Sequence, residues 1–228
     1  MQKKFIILIF FILPFTLFSQ QNKFKKKWFL NIGVGPSKSL FYSSGGWARD
    51  WDTLNAGNKK VDRKAWAFSH FGELELQLNP KLAVRLGYSA DNYFPSYKIS
   101  GFSTNGTYYE IDTKESDRNL YIQLTAHYTI LANAKNKLEI GAGLYNLINK
   151  RQEIQYYSRY YIDTLPLPVN AILIKDRKFV EGGIPFSLDY TRFIKPDYGI
   201  GFRINYNYTF SVQMPERLAF YGFVKIKL

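Results

Sequence analysis

The sequence predicts an all-β protein, an eight-stranded antiparallel up-and-down transmembrane β-barrel. Three observations carry this expectation. Residues 198–212 alternate without a break: Tyr198, Ile200, Phe202, Ile204, Tyr206, Tyr208, Phe210 and Val212 are apolar, while Gly199, Gly201, Arg203, Asn205, Asn207, Thr209 and Ser211 are small or polar. Successive strand side chains point to opposite faces, so this is one long strand with one apolar and one polar side. Seven further segments repeat the same parity, and the connections between them alternate between short and long, the habit of membrane barrels.

The chain opens Met1-Gln2-Lys3-Lys4 and is then apolar from Phe5 to Phe18, with Ser19 as a small residue behind it. A basic start, a short apolar run and a small residue predict a secretory signal peptide over 1–19, and a barrel domain over 20–228. A membrane-anchoring helix is the alternative, but the run is short for a span and contains Pro14. The basic run Lys23, Lys25, Lys26 and Lys27 precedes the first strand, where it suits a solvated tail near lipid headgroups.

The strands follow in order. Residues 28–34 place Trp28, Leu30, Ile32 and Val34 on the even side. Residues 66–78 set Trp66, Phe68, Leu74, Leu76 and Leu78 against Ser69, Glu73, Glu75 and Gln77. Residues 82–94 set Leu82, Val84, Leu86, Tyr88 and Phe94 against Arg85, Gly87, Ser89 and Asp91. Residues 120–130 oppose Leu120, Ile122, Leu124, Ala126, Tyr128 and Ile130 to Gln123, Thr125, His127 and Thr129. Residues 138–148, 180–190 and 218–228 continue the pattern, with Glu139, Glu181, Asp189 and Lys225 on the odd side. A tilted strand needs about 9–11 residues to cross a bilayer.

Asn79-Pro80-Lys81, residues 132–137 and Lys195-Pro196-Asp197 are tight turns by composition. The connections at roughly 36–64, 95–118 and 150–178 read as long loops, with a short fourth at 213–216. Aromatics fall at the strand ends: Trp28, Tyr128, Tyr190 and Tyr198 near one rim, and Trp66, Phe94, Phe210 and Phe220 near the other. Amphipathic rings at both ends predict two interfacial girdles.

Composition agrees. Aromatic residues are 18% of the chain and Cys is absent, which excludes disulfides and Cys-based metal sites. The net charge is +13, of which Lys3 and Lys4 supply two. In an exported protein that balance points to anionic lipid headgroups and lipopolysaccharide phosphates, not to nucleic acid.

These features resemble the small outer-membrane β-barrel families of Gram-negative bacteria, of the OmpX/OmpA transmembrane-domain and PorT-like type. The resemblance rests on the leader, the eight alternating segments and the turn and loop asymmetry. Leu228 stands where many such barrels end in an aromatic residue, and no peptidoglycan-binding domain is present, so no OmpA-like tether is implied.

Two groups of residues are candidates for function. The first is the odd-side charge set: Glu73, Glu75, Arg85, Asp91, Glu139, Glu181, Asp189, Arg203 and Lys225. An eight-stranded barrel is just wide enough for side chains to fill it, and acids and bases confined there pair. The second is the loop set: Trp47, Arg49 and Trp51, then Tyr156, Tyr157, Arg159, Tyr160 and Tyr161. Surfaces dense in Tyr and Arg suit recognition of a protein or glycan partner; strands extending above the membrane without a ligand are the alternative.

No catalytic constellation stands out. By parity His70 faces lipid and His127 faces the lumen, so they do not share a site. Residues 33–39, Gly-Val-Gly-Pro-Ser-Lys-Ser, lack the order and the following helix of a phosphate loop. No metal-ligand spacing and no cofactor site is expected. The favoured function is a structural or interaction module with a plugged lumen, not an enzyme. A narrow small-solute channel is the second reading. A soluble lipocalin-like carrier, with the apolar side turned inward around an apolar ligand, is the third.

Overall fold

A computed structural model describes residues 25–40, 58–62, 66–94, 96–102, 108–114, 116–156, 172–211 and 214–228. Among them the chain forms strands β1 (Lys27–Ser39), β2 (Asn58–Asp62), β3 (Trp66–Gln77), β4 (Leu82–Tyr93), β5 (Ser96–Phe102), β6 (Tyr108–Lys114), β7 (Asp117–Ala132), β8 (Asn136–Tyr156), β9 (Ile172–Lys195), β10 (Tyr198–Thr209) and β11 (Met214–Lys227). Eight of these close into a barrel in the order β1-β11-β10-β9-β8-β7-β4-β3, every pair antiparallel. Closure is made by β1, which pairs with β3 from Lys27↔Gln77 to Lys38↔Trp66 and with β11 from Phe29↔Lys227 to Ser39↔Arg217. No edge is left within the barrel wall, as a lipid-facing sheet requires.

The pleat sorts the side chains as the alternation predicts. On β7, buried and exposed positions alternate from Asp117 to Ile130. Leu86, Leu124 and Leu144 point outward from the middle of the wall, while Asn31, Arg85 and Glu139 point inward and are at most 1% exposed. Apolar outside and charged inside is the reverse of a lipocalin, so the inward-facing apolar cavity of that reading is overturned. The odd side is less uniformly polar than its sequence suggests. Phe29, Phe71, Tyr121, Tyr145, Leu147 and Phe223 also face inward.

Three turns close one end of the barrel, the end that also carries Lys27 and Leu228. Asn79 Oδ1 accepts from the Lys81 and Leu82 amides, each at 2.8 Å. Asn133 Oδ1 accepts from the Lys135 and Asn136 amides at 3.0 and 2.7 Å. These side chains supply the acceptor that the turning backbone lacks. Exposed Trp28, Tyr128, Tyr190 and Tyr198 ring this end, and exposed Trp66, Phe94 and Phe210 sit toward the other.

The far end departs from the sequence expectation. The connections at 36–64 and 95–118 are not wholly loop. They contribute β2, β5 and β6, which form a separate three-stranded sheet in the order β2-β5-β6. The connection at 150–178 is in part a hairpin: β8 runs 21 residues and β9 runs 24, paired as far as Tyr156↔Ile172. At about 3.3 Å per residue β8 alone is roughly 70 Å long, more than twice a bilayer core. Its partner β7 accompanies it in register only to Arg151, with the Gln152 amide donating to the Ser116 carbonyl just before β7, so 153–156 pairs with β9 alone.

Candidate functional site

Every strand of the barrel wall sends at least one polar side chain into a buried cluster across the lumen. Arg85 of β4 is the hub. Its Nε lies 2.7 Å from Glu75 Oε2, one terminal nitrogen lies 2.8 Å from Glu139 Oε2, and the other pairs with Asp189 and lies 4.0 Å from Glu73. Arg203 of β10 meets Glu73 with both terminal nitrogens, each at 2.8 Å, and donates to Asp189 from Nε at 2.9 Å and Nη2 at 2.8 Å. Such forked pairs fix geometry as well as charge. Lys225 of β11 sits 2.6 Å from Glu75 and 3.7 Å from Glu139, and Lys137 of β8 lies 2.8 Å from Glu139. Asn31 of β1 donates to Glu75 at 3.0 Å, and Gln123 of β7 to Glu73 at 2.8 Å.

The cluster is charge-balanced. Four carboxylates, Glu73, Glu75, Glu139 and Asp189, face four cations, Arg85, Arg203, Lys225 and Lys137. An isolated buried charge is costly, so a closed set of equal and opposite charges is how the lumen accommodates them. Inward aromatic rings complete the filling. The Arg203 guanidinium lies 4.2 Å from the Phe71 ring centre and 5.5 Å from that of Phe223, and Lys225 Nζ lies 4.9 Å from that of Phe29. Cations over ring faces gain from the ring quadrupole where water is excluded.

Two sequence-predicted members belong elsewhere. Asp91 pairs with Arg217 at 3.1 Å in a second cluster nearer the loop end, where Ser37 and Tyr93 also donate to the Asp91 carboxylate. The Arg217 guanidinium sits 4.5 Å from the Tyr121 ring centre. Glu181 lies at the loop-end mouth and contributes to neither cluster. Lys137, Glu216 and Arg217 were outside the strands as read from sequence. Extending the odd parity by one residue at the start of two strands would have found Lys137 and Arg217.

Glu216 breaks parity for a structural reason. The β10–β11 register runs Asn207↔Arg217 and then Tyr208↔Pro215, so Glu216 is the extra residue of a β-bulge. A bulge re-aims the side chain that it carries. Here it turns an even-numbered carboxylate toward Tyr121 Oη at 3.3 Å, Tyr145 Oη at 2.9 Å and the Thr209 hydroxyl. Gly183 makes room, because a Cβ there would collide with the Tyr208 carbonyl oxygen on β10 and with the Tyr145 ring.

Tyr121, Thr209 and Glu216 line a cavity of about 220 Å³ at the loop end, together with Asp117, Asn149 and Glu181 among others. Asp117 is paired with Arg151 at 3.1 Å.

His127 faces the lumen and His70 faces outward. His127 Nε2 lies 2.9 Å from Thr125 Oγ1, and its Nδ1 lies 3.8 Å from Asp189. The order hydroxyl, imidazole, carboxylate resembles a nucleophile relay, but Asp189 is committed to two arginines and His127 is only 2% exposed. Trp47, Arg49, Trp51, Tyr157, Arg159, Tyr160 and Tyr161 lie outside the described residues, as do residues 1–19, where a leader is expected; Tyr156 ends β8.

No protein-family model matches the chain. No curated protein matches it in sequence. Solved structures do. Neisserial surface protein A is 12% identical, with a TM-score of 0.51 over 90% of this chain and 100% of that one. Ail, the attachment invasion locus protein of Yersinia pestis, solved with the heparin analogue sucrose octasulfate, is 9% identical, with a TM-score of 0.49 over 90% and 100%. The outer membrane protease OmpT from Escherichia coli is 7% identical, with a TM-score of 0.45 over 91% and 99%. At these identities the likeness is one of fold, and the fold is that of a bacterial outer-membrane β-barrel.

Proposed function

We propose that this chain is a non-conducting outer-membrane barrel that serves as an anchor for surface interactions, exported by the leader at 1–19. The observation that carries the reading is the balanced cluster of four acids and four bases. It crosses the lumen at mid-barrel, with Arg85, Glu75, Glu139, Asp189 and Lys225 each at most 1% exposed. An ion would have to displace several forked or multiply bonded pairs to pass. Planar-bilayer recording of the refolded protein tests this. Absence of discrete conductance steps is expected. Steady unitary steps would favour the narrow-channel reading instead.

The interaction half of the proposal rests on the long β8–β9 hairpin, which carries residues beyond the wall, and on the Tyr- and Arg-rich sequence between the two strands. Variable binding surfaces sit on loops held by rigid scaffolds. Lipid and lipopolysaccharide are the surroundings that the exposed apolar wall and the basic charge suit, and a protein or glycan is the partner class that this Tyr- and Arg-rich sequence suits. Removing 152–176 is expected to abolish partner capture from surface extracts while the barrel still assembles. Unchanged capture would count against the hairpin as the recognition element.

A further inference from the structure

Two polar side chains face lipid at the middle of the barrel wall. His70 of β3 and Tyr88 of β4 point outward and are exposed, Tyr88 at 44%. Tyr88 lies midway along β4 between Leu82 and Phe94, and His70 lies between Trp66 and Leu76 on β3. At about 3.3 Å per residue and a strand tilt of about 40°, Tyr88 is roughly 15 Å from either rim, near the bilayer midplane. The register His70↔Ala90 and Gly72↔Tyr88 makes the two diagonal neighbours, and their rings meet edge-on with centres 6.0 Å apart. Neither side chain has a hydrogen-bond partner among the described residues. Their ring nitrogens and hydroxyl therefore face hydrocarbon unsatisfied. Polar side chains on a lipid face are costly, and a partner for them is the default expectation.

The wall around them is low. Val34 of β1 and Ala90 of β4 are the cross-strand neighbours of His70, and Gly222 of β11 follows Val34 in the same row. A Cβ added at Gly222 would meet nothing within 4 Å. The Tyr88 ring leans across Gly72, where an added Cβ would come within 3.1 Å of it. Exposed Phe68 stands toward the loop end of this strip and exposed Leu86 toward the turn end, and neither carries a charge. Where lipid replaces water, association is driven by small residues that admit a close neighbour and by polar groups that bond across the contact. Both occur here together.

We propose that this face is the interface of a homodimer, in which His70 of each copy hydrogen-bonds Tyr88 of the other. The case for a second copy is one of depth and symmetry. Two barrels with the same orientation in one membrane are related by a two-fold axis along the membrane normal, which keeps every residue at its own depth. In such an interface residue i meets j and j meets i, so the two must share a depth. Strand tilt brings His70 and Tyr88 to within about 2 Å in depth. It also sets Gly72 and Ala90 between them, one lower and one higher, so an axis between His70 and Tyr88 runs past two small residues, each facing its own copy. A neutral imidazole has one donor and one acceptor nitrogen, and a phenol hydroxyl does both, so the pair is matched in either tautomer. Within one chain the edge-on packing leaves the two groups unbonded. Across the axis both bonds form at once, which an acyl chain does not offer.

The test is energy transfer between copies of the full chain in phosphatidylcholine vesicles. The chain has no cysteine, so Lys135→Cys on an exposed turn takes a single donor or acceptor dye. Transfer is expected to saturate as the protein-to-lipid ratio rises and to fall when unlabelled chain is added. His70→Leu and Tyr88→Phe are each expected to raise the half-saturation ratio by about tenfold, because by symmetry either change removes two hydrogen bonds. Tyr198→Phe, which removes a hydroxyl at the rim, is expected to leave it unchanged. These side chains face lipid and leave the lumen packing intact; heat-dependent mobility on SDS gels confirms that each variant folds. A second readout keeps His70 and Tyr88 in place. Ala90→Cys is expected to give cross-linked dimers with a short bifunctional thiol reagent, and Leu188→Cys, across the barrel on β9, is not. Transfer no greater than random proximity gives, equal dimerisation of folded variants, or cross-linking at Leu188→Cys in place of Ala90→Cys would each overturn the proposal.

Discussion

Arg203 touches Glu73, Asp189, Phe71 and Phe223 at once. Removing its charge leaves two carboxylates sharing what remains of the cationic side. Breaking a buried pair from one side costs about 3–5 kcal/mol. Arg203→Met is therefore expected to lower unfolding stability by that order, measured by urea titration of tryptophan fluorescence in micelles. Lys227 pairs with Asp197 at 2.6 Å on an exposed turn, and Lys227→Met is expected to leave the transition nearly unchanged, since exposed pairs contribute about 0–1 kcal/mol. Equal effects from both would mean that the lumen is wetter than its burial implies.

At the same scale, the charged interior was legible and its partition was not. Parity assigns Glu73, Glu75, Arg85, Glu139, Asp189, Arg203 and Lys225 to one face, and the structure brings those seven into contact. It does not say that Asp91 sits too far along β4 to join them, because strand tilt and register set height in the barrel. Nor does it reveal Glu216, whose even position contradicts its inward aim until the bulge is seen.

Among the elements, β8 and β9 show where alternation stops being informative. The sequence near 150–178 mixes charges with tyrosines and loses clean parity, so it reads as a loop. The structure continues the ladder to Tyr156↔Ile172. Above a membrane both faces of a hairpin meet water or other chain, and nothing enforces an apolar side. The same holds for β2, β5 and β6. Within the wall, by contrast, lipid on one side and the packed lumen on the other fix parity strictly. A shortened chain lacking 152–176 is expected to retain the wild-type barrel's heat-dependent gel shift, because the other seven wall strands, and β8 as far as Arg151, keep their partners. Loss of the shift would show that the hairpin is part of the folding unit. Gly183→Val has the opposite expectation: its side chain would meet the Tyr208 carbonyl oxygen of β10 as well as the Tyr145 ring, and the overpacking should cost at least about 1–3 kcal/mol, read by the same urea titration.

For the molecule as a whole, the two surfaces exchange the roles that they have in a soluble barrel. Leu124 lies mid-strand on the outer face, opposite Leu86 and Leu144. An arginine there faces the bilayer interior and is expected to cost about 2–4 kcal/mol. In a soluble protein the same exposed position would tolerate it. The stability of Leu124→Arg in lipid bilayers separates these cases. The balanced lumen also explains how a chain of net charge +13 can be neutral at its centre: the excess basic charge lies outside the four-acid, four-base cluster.

The most direct measurement is an SDS gel of the outer-membrane fraction, run heated and unheated. A closed eight-stranded barrel is expected in that fraction, migrating differently when unheated because the folded wall resists SDS. Recovery as a soluble periplasmic protein with no shift on heating would contradict the account, since the apolar outer face would then have no lipid to meet.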